Sequence, residues 1–273
     1  HAASIGISGA ISFLIADLVA GVAGWRASFL VAALSAAVAW LAVLVVVPAR
    51  PPLRRDGNAR TFDFLPVLRN RSAMAYAIAY GIHSLELNGM RGWVVAFLAF
   101  VAANTGTSSA LVSPAAAATI LGLIGTIASV AGNELAIRLG RRLLIAGAMV
   151  ASLTIASVLG FVGAHSYPLA VLLVLLYSFV TWLDSASLTA GAAGTADPAR
   201  RGATLAVHST LGYAGGFVGP LTIGWTLDLS GGMSPFGWGM AFLVIAILGL
   251  VSLATFLLMR PMELAGDRGE RGL

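Results

Sequence analysis

Apolar stretches of twenty or more residues recur along the whole chain, and they limit its possible folds more than any other feature. About 20 apolar residues in a helix are enough to cross the roughly 30 Å hydrocarbon core of a bilayer. Only 10% of the 273 residues are charged, whereas a soluble domain has about 25%. So few charges do not make a water-facing surface. The sequence therefore predicts an all-α polytopic membrane protein.

The apolar stretches, bounded by glycine, proline and charged residues, predict eight membrane-spanning helices. Arginine occurs in the gaps 49–71, 134–142, 195–202 and 260–273, and these gaps alternate with uncharged ones. By the positive-inside rule, the arginine-bearing gaps and both termini face the cytoplasm, which places the chain in the cell membrane as a multi-pass protein. The expected spans are 2–22, 26–48, 72–102, 114–133, 143–164, 168–192, 203–228 and 236–259.

An internal repeat predicts how these helices are grouped. Residues 17–35 read DLVAGVAGWRASFLVAALS, and residues 228–248 read DLSGGMSPFGWGMAFLVIAIL. Their offset of 211 residues corresponds to a unit of six helices, as in transporters built from parallel repeats. We therefore expect residues 1–48 to be the last two helices of an N-terminal half whose first four helices precede His1. Residues 49–71 are then a cytoplasmic linker, 72–259 a complete six-helix half, and 260–273 a cytoplasmic tail.

Two motifs resemble those of the major facilitator superfamily. Residues 133–142 read NELAIRLGRR, similar to that family's cytoplasmic motif G-x-L-A-D-R-x-G-R-R, with Ile137 in place of the acid. Residues 212–224 read GYAGGFVGPLTIG, similar to its glycine-proline motif. On this resemblance the chain covers helices 5–12 of a twelve-helix transporter.

The resemblance implies a role for each motif. The first motif is associated in the family with gating. Because Ile137 replaces the acid, only the part that contains the arginines carries over, which is Arg138, Gly140, Arg141 and Arg142. In the second, small residues four apart allow close helix packing and a proline can bend the helix, which gives Gly212, Gly216, Gly219 and Pro220 a packing role.

Five polar residues lie within twelve positions of the third span: Tyr80, His83, Glu86, Asn88 and Arg91. An ionised side chain at the centre of a span costs about 2.5–3.5 kcal/mol on insertion scales, so it needs a partner or a wet cavity. On the helix His83, Glu86 and Arg91 span an arc of about 140° and could face one cavity. Gly89 and Gly92 mark a place where this helix could unwind.

Our hypothesis is that Glu86, with His83, takes and releases a proton while Arg91 attracts an anionic group or holds Glu86. The alternative is a Glu86–Arg91 pair that only neutralises itself and joins two helices. Asp184 and His208 are further candidates, because each is a titratable group among hydroxyls. Asp184 could instead pair with Arg200 or Arg201, and His208 could serve packing.

These features favour proton-coupled transport of a small solute by alternating access. The alternatives are a non-transporting or receptor-like membrane subunit and, less favoured, a membrane-embedded enzyme. The chain has no cysteine, and His83 and Glu86 form one pair of potential metal ligands without a second. We therefore expect no catalytic residues, cofactor or metal. The expected partners are a solute, protons and the lipid bilayer, and the short basic gaps argue against nucleic acid.

Overall fold

The computed structural model describes residues 2–48, 64–107 and 112–269. All regular elements in these residues are helices, which confirms the predicted fold class at the level of an all-helical bundle. The chain divides into two compact units, residues 11–63 and residues 1–10 with 64–273. The predicted linker falls largely outside the described residues, since 49–63 are not among them.

The smaller unit contains most of α1 (Ala2–Ala23) and all of α2 (Trp25–Val46). Only Gly24 separates the two helices, and its φ of 81° lies in the left-handed region that glycine enters without steric strain. The hydroxyl of Ser28 donates to the carbonyl of Ala16 at 3.2 Å across this turn. The first copy of the sequence repeat is therefore two helices joined by a one-residue turn.

The larger unit contains the remaining helices. Polar caps and first-turn prolines start several of them: Asn70 accepts from the Ala73 N–H, Ser113 from Ala116 and Ser234 from Gly237. The elements are α3 (Leu65–Arg69), α4 (Arg71–Asn104), α5 (Pro114–Leu139), α6 (Arg141–Gly163), α7 (Tyr167–Leu183), α8 (Ser185–Gly194), α9 (Arg201–Leu229) and α10 (Pro235–Met259).

Within the described residues, six stretches are long and apolar enough to span a bilayer, so the protein is a multi-pass membrane protein with six candidate spans. The other two predicted spans, α1 and α9, are not among these six. The span expected over 2–22 lies partly outside the residues whose side chains are described, and its described part contains the shorter apolar helix Ile11–Ala23. The helix α9 has 29 residues but is diluted by glycine, threonine and His208. The six are α2, α4, α5, α6, α7 together with α8, and α10.

The helices of the larger unit pack in three main pairs: α4 against α9, α6 against α10, and α5 against α7. We call the end of the bundle where α4 and α6 begin and α10 ends, at Arg71, Arg141 and Arg260, the arginine-bearing end. Near it, α4, α6, α8 and α10 share a buried apolar cluster that includes Tyr76, Ile145, Leu188 and Phe256. Nearer the other end, the ring of the fully buried Trp238 contacts those of Phe97 and Phe242. Both clusters involve α4, which is the central helix of the unit.

One local prediction differs from the structure, and another is confirmed with an added detail. The helix that could unwind beside Asn88 is continuous, because α4 runs unbroken from Arg71 to Asn104. The span expected over 168–192 is present as one candidate span, Tyr167–Gly194, and it contains a one-residue break at Asp184, where α7 ends and α8 begins. The break therefore lies at a carboxylate in the predicted site rather than at the glycines of α4.

Candidate functional site

The candidate site is built around one face of α4. His83 and Glu86 are three residues apart, so their side chains lie one above the other on this face. Opposite them lie α6 and the junction between α7 and α8. Two titratable side chains are thus placed among four apolar helices, where water is scarce and each needs partners.

The carboxylate of Glu86 is held by hydroxyl groups from two other helices. Ser152 of α6 donates to Glu86 Oε1. Thr181 of α7 donates to the same oxygen at 3.3 Å, and the hydroxyl of the buried Tyr177 lies beside it. These hydroxyls can both donate and accept, so the cluster can hydrogen-bond Glu86 as a carboxylate or as a neutral acid.

His83 faces the carboxylate at the helix break. Its Nδ1 lies 3.0 Å from Oδ1 of Asp184, and both side chains are at most 5% exposed. The other ring nitrogen of His83, Nε2, has no hydrogen-bond partner among the described residues. Asp184 therefore has a partner in His83 within the buried site.

A small cavity connects the two carboxylates. Its lining residues come from α4, α6, α10 and the α7–α8 junction, and they include His83, Glu86, Ser152, Thr181, Asp184 and Ser252. It offers about 20 Å³ to the centre of a water molecule, and a site of roughly 10–15 Å³ or more holds one water. This conformation therefore has room for about one water between the titratable groups and none for a solute.

A row of stacked rings extends from this site to α9. Tyr80 stacks on His208 with ring centroids 3.9 Å apart and on His83 with centroids 5.8 Å apart. Nε2 of His208 lies 3.2 Å from the hydroxyl oxygen of Thr189 in α8. Tyr80 and His208 therefore belong to the same polar cluster as His83, although they do not line the cavity.

Arg91 and Asn88 lie apart from this cluster. Among the described residues no ion pair joins Arg91 to Glu86, so the structure does not contain the Glu86–Arg91 pair that was the alternative to proton exchange, and neither Arg91 nor Asn88 lines the cavity. The reason is helical geometry: five residues correspond to about 140° around the axis. Asn88 donates to the carbonyl of Ser84 at 2.9 Å on its own helix.

The glycine-proline segment of α9 lies directly against α4. A Cβ at Gly219 would overlap the carbonyl oxygen of Leu85, and one at Gly212 would overlap the ring of Tyr80. A Cβ at Gly216 would lie 3.0 Å from Nδ2 of Asn88. The carbonyl of Pro220 accepts a hydrogen bond from Trp93 Nε1 at 2.9 Å. These residues bring the two helix backbones close together.

The basic motif divides into an exposed and a buried part. Arg138 pairs with Glu134 at 2.8 Å on the surface of α5, whereas the Arg141 side chain is only 3% exposed and pairs with Asp267. Between them Gly140, with φ 101°, ends α5 and begins α6. The Arg142 N–H donates to Glu263. Residues 260–268, which belong to the predicted cytoplasmic tail, are thus packed against the bundle.

The sequence prediction of the site did not include the hydroxyl groups around Glu86. Ser152 and Ser252 are buried serines in helices that are otherwise strongly apolar. A polar residue in the middle of an apolar span is a signal for a buried partner. That signal could have brought α6 and α10 into the site.

No family model matches the chain, and no curated protein matches it.

Proposed function

We propose that this protein is a proton-coupled secondary transporter of the major facilitator type, which moves a small solute by alternating access. The observation that carries the proposal is the buried cluster of His83, Glu86 and Asp184 around a one-water cavity. A static scaffold has little need for two carboxylates and an imidazole among apolar helices. In this proposal α4–α10 form the six-helix second half, and α1 and α2 are the last two helices of the first.

Protons are the coupling ion that this cluster suits best. Glu86 can exchange a proton with a water in the cavity, and His83 can accept one on its free Nε2 while Asp184 orients Nδ1. A neutral Glu86 avoids the cost of about 2.5–3.5 kcal/mol for an ionised side chain at mid-span, so protonation favours rearrangement of the helices around it. Release of the proton on the opposite side then completes a cycle.

Arg91 is the candidate for attracting an anionic solute. It is partly buried, and it forms no ion pair with any residue in the part of the chain that the structure describes. Its position on another side of α4 separates it from the proton-exchanging cluster, so one helix would connect solute binding to protonation. A solute that binds only one protonation state would shift the population of helix arrangements by its differential affinity.

Glu86→Gln is expected to abolish solute-dependent proton flux, because the amide keeps the shape of the side chain but takes up no proton. The measurement uses purified protein in liposomes that contain a pH-sensitive dye. A panel of organic anions, amino acids, sugars and amphipathic cations is added outside. The wild type should acidify or alkalinise the lumen with at least one class, and Glu86→Gln should not exceed protein-free liposomes.

The matched control is Asp228→Asn, which removes an exposed carboxylate at the end of α9 and should leave the flux unchanged. Equal fluxes in Glu86→Gln and the wild type would refute the role of Glu86. A wild type that moves no proton with any solute class would instead favour the non-transporting or receptor-like subunit.

A further inference from the structure

The segment that follows α10, residues 260–268, contacts the ends of several helices at the arginine-bearing end. The Met262 N–H donates to the hydroxyl of Ser72 at 3.1 Å, and its carbonyl accepts from the hydroxyl of Tyr76 at 2.8 Å, both on α4. The side chain of Leu264 lies where a Cβ at Gly194, the last residue of α8, would collide with it. We call residues 260–268 the tail segment.

Two acids of the tail segment bind the start of α6. Glu263 accepts a hydrogen bond from the Arg141 N–H at 2.8 Å and from the Arg142 N–H at 3.3 Å. These N–H groups belong to the first turn of α6 and have no partner within the helix, and a carboxylate there is favoured by the helix dipole. Glu263 thus joins the tail segment to α6 from outside the helix.

Asp267 makes the stronger connection. Its two oxygens accept from Arg141 Nε at 3.1 Å and from Nη2 at 3.0 Å, which is the bidentate arrangement of a carboxylate with a guanidinium group. Both side chains are at most 3% exposed. The Leu264 N–H also donates to Asp267 at 3.0 Å, which fixes the turn that carries the acid.

The same arginine holds α8. Arg141 Nη1 lies 3.4 Å from the carbonyl of Ser187 in α8 and 3.2 Å from Asn133 Oδ1 in α5. The helix α8 has ten residues and begins after Asp184, which faces His83. The first turn of α8 therefore lies next to both the His83–Asp184 pair and Arg141, and its last residue, Gly194, contacts the side chain of Leu264.

We propose that the tail segment is a latch that holds α8 closed over the arginine-bearing end of the bundle, with Asp184 as the hinge. Arg141 takes both of its acids from the tail segment, because Asp267 binds its guanidinium group and Glu263 binds its backbone N–H. A buried charge is strongly disfavoured without its partner, so Arg141 and Asp267 have two stable arrangements: paired and dry, or separated and hydrated. The positive-inside rule assigns this end of the bundle to the cytoplasm. Opening it requires the arrangement in which Arg141 and Asp267 are separated and hydrated.

The test uses thiol labelling, because the chain contains no cysteine. Ser187→Cys is nearly isosteric and introduces a thiol at a position that is 0% exposed. With the protein in lipid nanodiscs, a water-soluble maleimide should label this thiol slowly in the otherwise wild-type chain. Adding Asp267→Asn should accelerate labelling about tenfold, since weakening the latch by about 1.4 kcal/mol multiplies the open population by ten.

Two controls separate latch release from general loosening. Ala164→Cys places a thiol at another fully buried position, at the uncharged end of α6, and Asp267→Asn should leave its labelling unchanged. Glu134→Gln removes an exposed carboxylate at the arginine-bearing end and should not accelerate labelling of the Ser187→Cys thiol.

The latch is refuted if Asp267→Asn leaves the labelling of the Ser187→Cys thiol unchanged, or if it accelerates both thiols equally. Glu263→Gln provides a second variant, with the same expected direction and a smaller effect. The readout requires neither solute nor proton gradient. The latch can therefore fail while transport stands, and transport can fail while the latch stands.

Discussion

Arg141→Met is expected to lower the free energy of unfolding by about 3–5 kcal/mol, because it leaves the buried Asp267 without its partner. Arg138→Met, three positions earlier in the same motif, should cost under about 0.5 kcal/mol, since its pair with Glu134 is exposed and spans i to i+4. Both arginines belong to the same sequence motif, but the Arg141 side chain is 3% exposed and the Arg138 side chain is 70% exposed. Both changes in the free energy of unfolding can be measured by denaturant titration in detergent, with the circular dichroism signal of the helices as the readout.

A double variant tests where that energy comes from. Arg141→Met with Asp267→Leu removes both charges, and replacing a buried ion pair by apolar residues is often neutral or stabilising. We therefore expect the double variant to be more stable than Arg141→Met alone. If the losses of Arg141→Met and Asp267→Leu simply add, the two side chains do not stabilise each other, and each loss comes from contacts with other residues.

Hydropathy and charge were sufficient to predict the helices but not their breaks. Long apolar stretches between polar gaps predict spanning helices because a bilayer leaves the backbone few other ways to satisfy its hydrogen bonds. The break at Asp184 has no such signal, since Leu183, Asp184 and Ser185 lack glycine and proline. In the structure the carbonyl of Leu183 lies against Gly132 of α5, where a Cβ could not fit. That contact joins residues 51 positions apart, which no local pattern reveals.

The sequence brought His83 and Glu86 together because both are on one helix with a fixed periodicity. It did not relate either to Asp184 or Ser152, which come from other helices whose rotation about their axes is set by packing. The same periodicity shows why Arg91 points elsewhere, since an arc of about 140° is too wide for one small cavity. Partners on the same helix are thus easier to predict than partners across the bundle.

The acids that bind Arg141 were missed for a different reason. Ile137 stands where the resembling motif has its acid, so the motif itself supplies no counter-charge for its arginines. Glu263 and Asp267 lie more than 120 residues away, in the stretch predicted to be a cytoplasmic tail. A buried arginine needs a counter-charge from somewhere in the fold. Unassigned acids near other arginine-bearing gaps are therefore candidates for that role.

Gly219→Ala is expected to destabilise the protein, although alanine is the better helix former. A methyl group there would overlap the carbonyl oxygen of Leu85, so α4 and α9 would have to separate along their contact. Overpacking costs about 1–3 kcal/mol, and the upper part of this range applies because the obstructing atoms are backbone and have no alternative rotamer. Close contact between small residues is a main source of helix association in a membrane, where apolar surface alone gives no preference for protein over lipid.

Gly147→Ala is the matched control in α6, because Gly147 is exposed and nothing lies within 4 Å of its Cβ position. There alanine should stabilise by about 0.5–1 kcal/mol through the lower conformational entropy of the unfolded chain. Thermal unfolding in one detergent should therefore shift the midpoint down for Gly219→Ala and up for Gly147→Ala. A rise for both would mean that α4 and α9 are not in close contact, and the row of rings from His83 through Tyr80 to His208 would then lose the packing that holds it together.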